Sequence, residues 1–227
     1  MQSTMRWTLL AAGALTLSGC EMLPGQSGGK DLSFFITSTG PGRGGDLGGL
    51  EGADKHCQSL AAKAGAGNRT WRAYLSTQAP KFSDPNVVHA RERIGSGPWY
   101  NVKGVLIARN VDELHSERSN LNKETALDET GKPVNDRTMK PNKHDILTGS
   151  RPDGTAYPGP MFPDMTCGNW TKSGAEGSAM TGHHDRAGPT PAPWATSWNS
   201  SHPTTGCNQE ALRSTGGDGL LYCFAAK

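Results

Sequence analysis

The chain has 227 residues, with 23 Lys or Arg against 21 Asp or Glu and a formal net charge of +2; 34% of residues are hydrophobic, and there are 30 Gly and 15 Pro. So small an apolar share excludes a multi-span membrane protein, and a balanced charge without basic blocks argues against nucleic acid as a partner. The Gly and Pro content argues against a helical bundle and for short strands joined by irregular loops, a fold that usually needs covalent staples.

At the start of the chain Arg6 precedes an apolar run from Thr8 to Leu17, which has the length of a signal-peptide core and is too short to span a bilayer. Leu17-Ser18-Gly19-Cys20 resembles the lipobox of bacterial lipoproteins. That implies a signal peptide over residues 1–19 and a Cys20 that becomes the lipidated first residue, with acyl chains such as palmitate supplying a stable anchor. Glu21 stands where an Asp would resemble an inner-membrane retention signal, so the expected location is the bacterial outer membrane, on its periplasmic or surface-exposed side. Residues 20–30 read as the lipidated Cys and a flexible tether. Gly25 to Gly29 fits the G-x-S-x-G nucleophile pattern, but a tether supplies neither the strand nor the helix that this motif needs. With Cys20 acylated, Cys57, Cys167, Cys207 and Cys223 remain, and two disulfides are expected in an oxidising compartment, with three connectivities open.

Asp31 to Ser38, with Leu32, Phe34, Phe35 and Ile36, predicts a first strand, and the glycines from Gly40 to Gly45 a turn. Leu50, Ala53, Cys57, Leu60, Ala61 and Ala64 recur at three- and four-residue steps, which predicts a helix stopped at Gly65 with Cys57 facing inward. Thr70 to Thr77 alternates as a half-buried strand, with Trp71, Ala73 and Leu75 on one side and Arg72 and Tyr74 on the other. Pro85 to Ile94 predicts a short second helix and Gly104 to Ala108 another strand. From Val111 to about Pro163 periodicity disappears, and the stretch reads as a long loop of the functional or disordered kind. Short segments carrying Trp and Cys follow, and Leu220-Leu221-Tyr222-Cys223-Phe224 reads as a closing strand. No internal repeat is present, so residues 31–227 read as one domain.

Gly45 through Cys57, followed by Arg72-Ala73-Tyr74-Leu75-Ser76, resembles the helix and next strand of the endostatin domains of collagens, which have the C-type lectin-like fold. Leu147 through Gly154, Cys167 with Trp170-Thr171, Gly206-Cys207 and Leu221-Tyr222-Cys223 continue the likeness in the same order, over about Leu32 to Phe224. Arg93-Ile94-Gly95, Gly97-Pro98-Trp99-Tyr100-Asn101, Gly182-His183-His184-Asp185-Arg186 and Trp198-Asn199-Ser200-Ser201-His202 resemble bacterial secreted proteins described as lectins. The resemblance implies an α+β, C-type lectin-like domain with a mixed, mainly antiparallel sheet, one or two helices and long irregular loops. It also implies the pairings Cys57–Cys223 and Cys167–Cys207. The calcium motifs of C-type lectins are altered here. Lys140-Pro141-Asn142 has a cation in place of the first acid and Trp198-Asn199-Ser200 a hydroxyl in place of the second. Calcium, which takes six to eight oxygen ligands, is left with Asp145, Asp153 and Asp164. The N-terminal histidines of the endostatin zinc site have no counterpart between residues 21 and 50.

The segment Gly182 to Arg186 and His202 form the densest collection of metal-ligating side chains in the sequence. Adjacent His183 and His184 on an extended segment point to opposite sides, so at most one of them faces a shared site with Asp185 or His202; zinc there would draw on His183, Asp185 and His202. The competing reading is a polar network bracing a loop. Ser200 or Ser201 with His184 or His202 and Asp185 could be imagined as a hydrolase, but nothing in the spacing supports it. Trp71, Trp99 and Trp170 read as core, whereas Trp194, beside Pro193, suits exposure as well as burial. The expectation is binding without catalysis and without a resident cofactor, calcium and zinc being the ions left open. The favoured partner is a glycan or cell-surface molecule, recognised by Trp194, Trp198, Asn199, His202, His183, His184 and Asp185. A protein-interaction or envelope scaffold module is the alternative, and a zinc-dependent hydrolase a third.

Overall fold

A computed structural model describes Met1 and residues 31–226 except 80, 82, 83 and 85. The expected signal peptide, Cys20 and the tether therefore lie outside the described residues. In chain order the elements are β1 (Phe34–Ile36), α1 (Gly49–Lys63), β2 (Thr70–Ala73), α2 (Ala90–Arg93), β3 (Trp99–Tyr100), β4 (Leu106–Ala108) and α3 (Val111–Leu114). They continue with β5 (Asp145–Leu147), α4 (Cys167–Trp170), β6 (Met180–His183), β7 (His202–Pro203), α5 (Gln209–Thr215) and β8 (Gly217–Ala226). The fold is α+β with a mixed, mainly antiparallel sheet. None of the helices among the described residues is long and apolar enough to cross a membrane.

β8 is the axis of the main sheet. It runs antiparallel to β1, with Phe35 opposite Cys223, and antiparallel to β2, with Ala73 opposite Cys223. It lies parallel to β5, with Ile146 opposite Leu220; β6 and β7 extend the sheet beyond β5 by antiparallel pairing. A strand covered on both faces reads as a continuous apolar run, which is why Leu220 to Ala225 shows no polar alternation. Leu220, Tyr222 and Phe224 enter one core with Phe34, Ile36, Tyr74, Trp99 and Ile146. Leu221, Cys223 and Ala225 enter the other, with Phe35, Trp71, Leu147, Trp170 and the inner face of α1. The two-residue period of the strand thus feeds two cores from one segment.

The helix α1 follows its apolar steps, with Ala53, Cys57, Leu60 and Ala61 buried. Its end is a Schellman motif: Gly65 N–H donates to Ala62 O at 3.1 Å and Ala66 N–H to Ala61 O at 2.8 Å, around a Gly65 with φ of +80°. Cys57 of α1 is bonded to Cys223 of β8, and Cys167 of α4 to Cys207.

Several sequence expectations change in extent. The first strand contracts to three residues and the helix expected over 85–94 to a single turn, Ala90–Arg93. The strand expected over 70–77 keeps its ladder only to Ala73, and Tyr74 is fully buried rather than on an open face, because the second core covers that side. The stretch from Val111 to Pro163 is not a featureless loop: it contains α3 and the interior strand β5, whose three residues are too few to display a period. Among the described residues there are five helical segments instead of one or two, three of them of four residues, and the backbone of one of these, Cys167–Trp170, is left-handed throughout.

Candidate functional site

The segment joining β6 to β7, residues 184–201, carries most of the expected ligand residues, and the structure divides them between two places. One is an open cleft of about 430 Å³ bordered by His115, Glu117, Arg186, Trp194, Thr196 and Trp198. Trp194, which follows Pro193, is 52% exposed and offers its ring to solvent; Trp198 is 4% exposed. The Trp198 ring packs against Tyr74, His115 and Tyr222 with centroids 4.8, 5.5 and 5.3 Å away, so it supports the cleft and has no free stacking face. Asn199 is likewise turned inward. Its amide donates to Tyr74 Oη at 2.9 Å and to the carbonyls of Arg151 and Pro152 at 3.1 and 3.2 Å. The expected ligand roles of Trp198 and Asn199 are thereby corrected to structural ones, since both have their recognition surfaces occupied.

His115, which the sequence reading did not single out, joins this network. A carbonyl can only accept, so Nδ1 carries the proton toward Val111 O at 2.7 Å, and Nε2 accepts from Tyr74 Oη at 2.7 Å. Burial pushes the Tyr74 phenol far above its usual range, which keeps it a donor. Burial also pulls His115 below the ordinary histidine value. At the rim, Arg186 lies 3.9 Å from Glu117 and donates from Nε to Leu121 O at 2.8 Å.

The second place is a buried imidazole cluster around Asp145, the first residue of β5. Asp145 is 1% exposed, and its Oδ1 lies 3.2 Å from His144 Nε2, 3.3 Å from His183 Nε2 and 3.5 Å from His202 Nε2. Neither carboxylate oxygen nor His183 Nε2 makes an aligned hydrogen bond. One ligand atom each from His144, Asp145 and His183 falls within 4.8 Å of the others. Strand register creates this grouping, because Asp145 is paired with His183 across β5 and β6, and Thr181 with His202 across β6 and β7.

The far nitrogens of the rings are all engaged with oxygen. His183 Nδ1 lies 2.7 Å from Ala195 O, His202 Nδ1 3.2 Å from Pro203 O, and His144 Nδ1 3.2 Å from Asp185 Oδ1. Burial tends to raise the Asp185 carboxyl, but His144 and the backbone N–H groups of Arg137 and Ala187 outweigh it and hold it at about 2. Asp185 therefore orients His144 and does not face Asp145. His184 points the other way, with Nε2 3.2 Å from Asn135 O, and burial lowers its pKa. In place of the expected His183, Asp185 and His202, the ligand atoms that converge are those of His144, Asp145 and His183, with His202 beside Asp145 alone and Asp185 behind His144. His183 and His184 are buried and His202 is partly exposed, so the first two present no surface to a glycan.

Asp153 and Asp164 do not join Asp145. Asp153 accepts from Thr155, and Asp164 from Thr166 and Gly168. Ser201 Oγ is 3.2 Å from His183 Nδ1, but that nitrogen's proton is directed at Ala195 O, so it cannot act as a base toward Ser201. Ser200 Oγ meets Tyr157 Oη at 3.1 Å.

Comparison with protein-family models and with curated proteins finds no match to this chain.

Proposed function

We propose that the chain is an outer-membrane lipoprotein whose C-type lectin-like, endostatin-like domain binds carbohydrate in the Trp194 cleft. The observation that carries this reading is the exposed Trp194 ring at the mouth of the cleft, next to the charged groups of Glu117 and Arg186 and the hydroxyl of Thr196. An aromatic face stacks on the apolar face of a sugar ring while nearby polar groups orient its hydroxyls. The cysteine pairing, the one the endostatin resemblance implies, supports the fold assignment. Binding rather than catalysis is supported by Ser200 and Ser201, neither of which faces a free base.

The test is a glycan array followed by calorimetry on the full chain. Trp194→Ala should weaken the best glycan at least tenfold, a loss of roughly 1.4 kcal/mol or more; a wild type that binds no sugar, with or without divalent ions, would sink the proposal. A scaffold module is favoured by a different observation, the exposed Met161 and Phe162 on the loop before α4. Recovery of one stoichiometric protein by cross-linking, lost in Phe162→Ser, would support that reading instead. The anchor rests on the residues around Cys20: Cys20→Ala should move the protein from the membrane to the soluble fraction, and unchanged fractionation would refute it.

A further inference from the structure

We propose that His144, Asp145, His183 and His202 bind a zinc ion that clips together the two ends of the loop carrying Trp194. The first argument is distance. Four ligands at 2.0–2.1 Å in a tetrahedron stand roughly 3.3 Å apart. Asp145 Oδ1 is 3.2, 3.3 and 3.5 Å from three imidazole nitrogens, so it already sits at tetrahedral edge length from each of them.

The second argument is hydrogen-bond accounting. Each Nδ1 faces an oxygen, from Asp185, Ala195 or Pro203. A neutral imidazole with its proton on Nδ1 turns the Nε2 lone pair toward the carboxylate. Lone pairs and an anion pointed at one another in a buried space repel unless a cation or a second ring proton lies between them, and Asp145 has no aligned donor on either oxygen. Rings oriented from behind by a carboxylate or carbonyl are the usual outer support of a zinc ligand. Three nitrogens and one carboxylate oxygen suit zinc, whereas calcium takes oxygen ligands almost exclusively. The His144 and His183 rings are stacked at 4.1 Å with planes 15° apart, so bringing both lone pairs onto one ion requires these side chains to splay.

The third argument is position. His183 ends β6 and His202 opens β7, so the two residues bracket 184–201; Asp145, which opens β5, and His144 just before it meet them from the neighbouring strand. His183 also holds that loop directly, through Nδ1 to Ala195 O at 2.7 Å and through its N–H to Ser197 O at 2.9 Å. Four protein ligands leave no open coordination position, which makes this a structural ion and not an activator of water. The ion would fix the loop that presents Trp194, whether or not the cleft takes a sugar.

The experiment is metal analysis of the full chain after dialysis, after chelation, and after reloading with zinc or cobalt. One equivalent of zinc per chain is expected to survive gel filtration. Cobalt is expected to give the intense visible bands of a tetrahedral site, and amide exchange in 184–201 should slow on loading. Asp145→Asn should abolish uptake. Asp185→Asn, which leaves all four ligands in place, should lower zinc affinity roughly 10–100-fold. Should Asp145→Asn fail to fold, Asp185→Asn and the partly exposed His202→Gln carry the test. Failure of the wild type to retain zinc under any loading, or an octahedral cobalt spectrum, overturns the proposal; unchanged affinity in His202→Gln overturns the four-ligand closure. None of these readouts involves a sugar, so they stand apart from the glycan test.

Discussion

His115 illustrates how a single ring can link stability to acidity. Burial is the largest influence on its pKa, and Arg91 acts in the same direction; the Val111 carbonyl, Asp153 and Asp112 oppose them, and the net effect is a value below the ordinary 6.5. In the unfolded chain the ring takes a proton as pH falls through about 6.5, while in the fold it resists until a lower pH. The unfolded state then binds more protons, so stability is complete above about 6.5, declines through the window down to the lowered folded value, and levels off below it for this group. Urea unfolding of wild type and His115→Gln between pH 7.5 and 5 should show a shallower pH dependence in the variant. Equal slopes would mean that His115 does not contribute. His184, also lowered by burial, acts in the same sense and remains in both proteins, so the comparison isolates His115.

At the scale of elements, Asp54 joins three of them. From α1 its Oδ1 accepts from Ala73 N at 2.9 Å in β2, and its Oδ2 accepts from Arg72 and from Arg93 of α2, each at 2.7 Å. Arg93 is itself largely buried and donates again to the Ala73 carbonyl. Removing one partner of a buried pair leaves the other charge uncompensated, at a cost of about 3–5 kcal/mol. Asp54→Ala should therefore lose about 3 kcal/mol in urea unfolding, and adding Arg93→Leu should recover part of the loss; a near-neutral Asp54→Ala would show that water compensates Arg93. Nothing in sequence marked Asp54, because its partners stand 18 and 39 positions away. The same reason hid the imidazole cluster. The histidine-rich segment was visible as a concentration of ligands, and opposite orientations for His183 and His184 followed from extended backbone alone. Asp145 stood out only as an oxygen donor for calcium; its grouping with these histidines, and His144 beside it, came through the pairing of β5 with β6, a short strand within a stretch that has no period. α1, with 15 residues and repeated apolar steps, was legible from sequence because its pattern is local.

Across the whole molecule, the two disulfides constrain different parts of the chain. Cys57–Cys223 spans 166 positions and ties α1 to the central strand, with both cysteines fully buried in one core. Cys167–Cys207 spans 40 positions, and the loop it closes contains β6, the Trp194 segment and β7. By chain entropy the first constrains the unfolded state by about 5 kcal/mol and the second by about 4 kcal/mol. For a chain with 34% hydrophobic residues these are large contributions beside a typical stability of roughly 5–15 kcal/mol. The differing placement gives distinct expectations. Replacing Cys57 and Cys223 by Ala should lower the global unfolding free energy by about 4–5 kcal/mol and raise amide exchange throughout both cores, because β8 pairs with three other strands. Replacing Cys167 and Cys207 should cost about 3–4 kcal/mol and accelerate exchange most between residues 168 and 206. If both double variants instead raised exchange in the same pattern, the inner disulfide would be bracing the whole sheet, and the segment bearing Trp194 would have no separate restraint from it.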